Sequence, residues 1–101
     1  MYVYDKANEL ARSIKESSEF KEYKQLKDIV FADEKNKTLI KEYKNLQLKA
    51  QTAYMTGTEP DSELMEKMQK LGEVLQFNKD VSEFFIVEYK FNTLIGDIYK
   101  I

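Results

Sequence analysis

Apolar residues recur every three to four positions in five stretches of this chain, and each stretch predicts a helix. Along "YDKANELARSIKES" and the residue before it, Val3, Ala7, Leu10, Ala11 and Ile14 fall on one stripe of a 3.6-residue period. Asp5 near its start and Lys15 near its end suit the helix dipole. Ser17 and Ser18 then interrupt the pattern, and either can cap a second helix by accepting a hydrogen bond from a free backbone N–H. That second helix is "EFKEYKQLKDIVFA", with Phe20, Tyr23, Leu26 and Val30 as its stripe and Ile29 beside it. Lys21, Lys24 and Lys27, interleaved with Glu22 and Asp28, read as a solvated face.

Asp33 is placed to cap a third helix, "EKNKTLIKEYKNLQLKAQTAYM". Leu39, Tyr43, Leu46, Ala50 and Ala53 step along it by four and three, the pattern of a helix packed lengthwise against another. Ile40, Gln47 and Tyr54 form a second row. At about 1.5 Å per residue this helix is about 33 Å long. A compact 100-residue domain has a radius of gyration of only about 13 Å. Such a helix calls for a long hairpin mate or a second subunit. The stretch "AYMTGTEPD" ends it: Gly57 can take the left-handed conformation that closes a helix, and Pro60 suits the first turn of the next. In the fourth helix, "SELMEKMQKLGEVLQF", Leu64, Met68, Leu71 and Leu75 form the stripe. Met65 and Met68 read as core filler, and Gly72 as the mark of a close helix crossing. Asn78 is placed to cap the fifth, "DVSEFFIVEYKFNTLIGDIYKI". Its Val81, Phe84, Phe91, Ile95 and Ile98, widened by Phe85, Ile86, Val87 and Leu94, exceed what one buried face needs. Glu88 interrupts this apolar stripe and requires a cation or a tyrosine hydroxyl as partner.

Sustained alternation of period two is missing, and Gly plus Pro number four in 101 residues. The expectation is an all-α fold of five helices, a single domain over residues 1–101. It takes the form of an antiparallel bundle or hairpin with long third and fifth helices, associating as a homodimer or higher homo-oligomer. Hydrophobic residues at 43% and charged residues at 34% fit a soluble globular chain. The net charge of −2 gives no general attraction to nucleic acid. The run Phe84-Phe85-Ile86-Val87 is far short of the roughly 20 apolar residues of a membrane span, and "MYVYDKANEL" has no signal-peptide core. A cytoplasmic location is expected.

Candidate chemistry is sparse. Without cysteine there is no disulfide, cysteine-held zinc or cysteine-held iron–sulfur cluster, and without histidine the commonest general base and metal ligand are missing. No phosphate-binding glycine motif occurs. The chain is expected not to be an enzyme and to hold no cofactor or metal. Two other functions are open. "KEYK" occurs twice, so Lys21, Lys24, Lys41 and Lys44 with Tyr23 and Tyr43 offer a single-stranded RNA surface. Against this, tyrosines commonly line a core rim with the ring inside. A carboxylate metal site would have to centre on Glu88, which reads more simply as a structural ion-pair member.

The segments "YDKANELARSIKESSEFKEYK", "ADEKNKTLIKEYKNLQ", "MTGTEPD" and "VSEFFIVEYKFNTLIGDIYKI", in this order, resemble the YlbF/YmcA family and its YheA-like relatives over nearly the whole chain. The resemblance implies a bacterial, cytosolic, all-helical protein that forms dimers or higher oligomers. It also implies a regulator of competence, sporulation and biofilm formation, acting with family paralogues through ribonuclease Y-dependent messenger-RNA processing. Some family members hold iron–sulfur clusters on cysteines, which this chain lacks, so that cofactor does not carry over. Family members often have glutamine where Tyr54 and Tyr89 stand, a paired change that suggests a contact between the two.

The function expected is therefore that of a non-catalytic helical adaptor or regulator. Alternatives are an RNA-binding accessory protein, or a purely structural homo-oligomer. The contact residues expected are Tyr54 and the turn Met55–Asp61, with Gly57 and Pro60, and the fifth helix through Phe85, Glu88, Tyr89 and Phe91.

Overall fold

The computed structural model describes residues 2–101 and has the all-α fold that the periodicity predicts. Five helices run α1 (Val3–Glu16), α2 (Ser18–Phe31), α3 (Glu34–Met55), α4 (Ser62–Gln76) and α5 (Lys79–Lys100). Their starts are set by short polar side chains. The Ser17 hydroxyl accepts from the Phe20 N–H at 3.2 Å, so Ser17 rather than Ser18 caps α2. One Asp33 carboxylate oxygen accepts from the N–H groups of Lys35 and Asn36. Asn78 Oδ1 accepts from the Val81 N–H. Each such cap is worth about 1 kcal/mol.

The turn after α3 closes as a Schellman motif. The Thr58 N–H donates to the Ala53 carbonyl and the Gly57 N–H to the Tyr54 carbonyl, with Gly57 at φ +78°. Pro60 lies outside α4 rather than in its first turn, a correction to the sequence expectation. Asp61 takes the cap position, its carboxylate accepting from the Glu63 N–H, and this starts the helix at Ser62, two residues beyond the proline.

Two antiparallel hairpins result. In one, Phe20 meets Phe91 and Phe31 meets Phe84, so α2 and α5 run in opposite directions. The other is α3 folded back on α4 by the turn, with Gly72 of α4 against the Tyr43 ring of α3. The core lies where the hairpins join. Val30 at the end of α2, Ile40 near the start of α3, Leu75 at the end of α4, and Val81 and Phe84 at the start of α5 form one buried cluster. Tyr23, Leu26, Phe31, Leu39, Tyr43, Leu71 and Phe85 pack around it. From there the hairpins diverge. The radius of gyration is 16.8 Å and the Cα extents are 53 × 35 × 17 Å. A thickness of 17 Å admits about two layers of helices, whose axes pack roughly 8–10 Å apart.

Met68 is half-buried as expected of core filler, but Met65 is exposed, since it lies one position outside the α4 stripe. The crossing at Gly72 is close without requiring glycine. A Cβ there would sit 3.5 Å from the Tyr43 ring, an ordinary contact. Gly72→Ala is therefore expected to stabilise the fold by about 0.5–1 kcal/mol, by helix propensity. Gly57→Ala should destabilise it by about 1 kcal/mol, because its φ of +78° strains any side chain. Opposite shifts of the thermal midpoint check both.

Candidate protein–protein interaction surface

The expected contact residues fall into separate groups. Tyr54 and Met55 end α3 and are 62% and 79% exposed, at the tip of the α3/α4 hairpin. Gly57 and half-buried Pro60 shape the turn beside them. Tyr89, 74% exposed, lines an open groove between α2 and α5 with Ser18, Glu22, Lys90 and Asp97, and no residue of the tip contributes to that groove. Among the described residues, Tyr54 and Tyr89 form no ring pair.

Phe85 and Phe91, expected on a presented part of α5, are instead half-buried and engaged. Phe85 packs against Tyr43 and Phe84, and Phe91 stacks on Tyr23 with ring centroids 5.0 Å apart. The physical reason is that α2 covers the Phe84–Val87–Phe91 face, while α3 reaches Phe85 through Tyr43.

Glu88 has the partner its position demanded. Lys44 of α3 donates to its carboxylate and also lies 5.7 Å from the Phe84 ring centroid. Among the described residues this is the one ion pair between different helices; the others join residues three or four apart in sequence. It spans the gap where α3 begins to part from α5. No three His, Cys, Asp or Glu side chains gather in a metal-holding group among the described residues. Glu88 thus acts as the anionic half of a strut.

The basic and aromatic residues considered for RNA are largely occupied. Tyr23 stacks on Phe84 and Phe91, and Tyr43 packs on Phe85 and Gly72. Lys24 pairs with Asp28 at 3.1 Å and Lys44 with Glu88, while Lys21 and Lys41 are exposed. The Tyr23 and Tyr43 rings serve the core, so no stacking platform forms from them.

Other apolar side chains also stand in water. Leu48 and Met65 are exposed on the two arms of the tip hairpin, and Ile29, Val74, Phe77 and Ile86 are exposed nearer the core. Phe77, at the α4 C-cap, is 91% exposed. Most affected is α1, which has no buried residue: Val3 is 76% exposed and Leu10 44%. The signal for α1 was present in the sequence, since its stripe is regular, but periodicity does not name the surface that covers a stripe.

No helix among the described residues is long and apolar enough to cross a membrane. A family model described as control of competence regulator ComK, YlbF/YmcA, matches residues 3–101, and the chain belongs to this family. A UPF0342 protein of Halothermothrix orenii is 35% identical over 101 residues, covering 100% of this chain and 86% of its own length. One from Clostridium novyi is 37% identical, covering 100% and 89%. The solved structure of YheA from Bacillus subtilis matches with a TM-score of 0.67 at 26% identity, over 99% of this chain and 89% of that one. A chain from the crystal structure of Bacillus subtilis RicA in complex with RicF has the same fold, with a TM-score of 0.62 at 20% identity, over 96% and 86%.

Removing either end of the strut should give unequal losses. The Glu88 side chain is only 17% exposed, whereas Lys44 retains 42%. Lys44→Met strands a mostly dehydrated carboxylate and is expected to cost about 2 kcal/mol. Glu88→Gln leaves a lysine that can turn to water and should cost about 1 kcal/mol. Urea unfolding of the two variants measures the difference, and equal losses contradict this account.

Proposed function

We propose that this YlbF/YmcA-family chain is a non-catalytic adaptor that works in assembled form in the cytoplasm, using apolar helix faces to bind other protein chains. The observation that carries the reading is excess surface. The chain exposes 7905 Å². A folded monomer of 12.0 kDa is expected to expose about 6,000 Å². The surplus of about 1,900 Å² per chain exceeds the roughly 800 Å² per partner of a standard interface and is in the range of obligate assemblies. Large apolar side chains stand among the exposed residues, including Val3, Leu48, Met55, Phe77 and Ile86, each more than half exposed.

The family's description as a control of competence regulator supports a regulatory role. The occurrence of this fold in a RicA–RicF complex supports a partner that is another chain of the family. We extend this to ribonuclease Y-dependent messenger-RNA processing, and through it to competence, sporulation and biofilm formation. In this reading α3 and α5 supply length and spacing, and the exposed residues on and near them supply contact. Tyr54 and Met55 at the tip and Tyr89 on α5 are the contact residues retained. Glu88, Phe85 and Phe91 act through the packing of α5, and Gly57 and Pro60 through the shape of the turn between α3 and α4.

Tagged protein captured from its native cytoplasm should bring ribonuclease Y or family paralogues with it, and capture should weaken with Tyr54→Ala and Met55→Ala together. Sedimentation of the purified chain at about 10 μM should show an oligomer. A chain that is monomeric at that concentration and retains neither partner contradicts the proposal.

A further inference from the structure

We infer that the interface between copies is built from α1 of one chain and the outer half of α5 of a second copy, exchanged reciprocally. This rests on the reading of the chain as self-assembling, and it names the surface responsible.

Consider first what α1 lacks. It spans 14 residues, and none of them is buried. Isolated helices of about 12–15 residues are marginal in water, and most helical stability in proteins comes from packing an amphipathic face. The stripe of Val3, Ala7 and Leu10 has no such packing; only Ile14, beside the junction with α2, is half-buried. Ser17 explains the separation. Its extended backbone, φ −67° and ψ 149°, breaks the helical path, so α1 leans on α2 near the junction and has no extensive contact with α5.

The outer half of α5 has the complementary deficit. Leu94 still borders the groove beside Ser18, the first residue of α2. Farther out, α5 runs past the end of α2, and Ile95, Tyr99 and Ile101 are exposed around a half-buried Ile98. One chain therefore carries two bare apolar stripes that it does not join to each other. From Val3 to Leu10 is about 10 Å of helix, and from Ile95 to Ile101 about 9 Å.

Charge and symmetry select the occupant. On α1, Asp5, Glu9 and Glu16 balance Lys6, Arg12 and Lys15. Beyond Tyr89, α5 carries Lys90, Asp97 and Lys100. Two nearly neutral, mixed faces can approach without net repulsion. Neither has the cationic excess of a helix that binds anionic lipid. In a twofold dimer a contact of α1 with the partner's α5 is necessarily made twice. That arrangement covers all four stripes, whereas pairing α1 with α1 leaves both α5 ends in water. The surplus of about 1,900 Å² per chain accommodates two such contacts.

Because the chain has no cysteine, introduced thiols are the only ones present. Differently tagged Leu10→Cys and Ile95→Cys chains, mixed and mildly oxidised, should give chiefly the mixed disulfide dimer. Leu10→Cys with Met55→Cys, at the α3 tip, should not. In sedimentation equilibrium, Leu10→Glu is expected to raise the dimer dissociation constant at least about a hundredfold, as a charge in the dry centre of an interface does. Mixing Leu10→Glu with Ile95→Lys should recover dimer. Leu10 and Ile95 are exposed within the chain, so both variants should keep the helicity and cooperative unfolding of α2 to α5 by circular dichroism, any loss being confined to the 14 residues of α1. Three results overturn the inference. A wild-type chain monomeric throughout removes self-assembly as well. An unperturbed dimer in Leu10→Glu leaves self-assembly standing on another face. Efficient Leu10→Cys self-linking, without the mixed product, replaces exchange by α1–α1 pairing.

Discussion

The tertiary structure depends on one small cluster, the packing of Phe84 with Val30, Ile40, Leu75 and Val81 where four helix ends meet. From that point α2, α3, α4 and α5 extend outward, and α1 is attached at the far end of α2. Two short links, around Asp33 and Asn78, feed the cluster, and each is fixed by a side-chain cap. Capping and core burial thus act on the same few residues. The caps set where α3 and α5 begin, and so set which of their turns present Ile40, Val81 and Phe84 to the interior. A start displaced by one residue would rotate each stripe by about 100° and empty the core.

So small a core cannot hold four helices together along their lengths. The hairpins keep internal contacts, α2 on α5 and α3 on α4, but between hairpins the attachment thins quickly. Lys44 and Glu88 lie where it thins. Their ion pair holds α3 near α5 while placing no apolar surface between them, which suits a junction that ends rather than continues. The outcome is a thin molecule with helix faces left over. An extended shape is costly for a monomer, since its exposed apolar area contributes nothing to stability. It is consistent with a chain whose folding is completed by association.

Local features of this arrangement were legible in the sequence. Asp33, Asn78 and Gly57 act where their side-chain chemistry or backbone freedom placed them, and α3 has the limits read from its pattern. Glu88 was legible as a residue in need of a cation, because a carboxylate in an apolar stripe has few alternatives. The identity of that cation was not, since Lys44 is 44 residues distant and only the fold brings it near. Phe85 and Phe91 are half-buried within the chain for a related reason. A helix with too many apolar residues must be covered on several sides, but the count does not say which side a neighbour takes. Tyr23 and Tyr43 resolve the same way, their "KEYK" settings being rims of the core.

The case of α1 shows where periodicity stops. Its stripe is as regular as those of α2 or α4, and equal regularity suggests equal burial. The difference arises at Ser17, whose hydroxyl caps α2 and whose extended backbone directs α1 off its path. A stripe that the chain does not cover is a requirement still open, and the exposed end of α5 is another. The tip of the α3/α4 hairpin, with Tyr54 and Met55, lies at the far end of α3 from the core, and α1 departs from the far end of α2. Occupation of one region by a second copy therefore leaves the other accessible. Self-association and binding of a different protein need not compete for the same residues, which is the physical condition for an adaptor that holds its own assembly while engaging a partner.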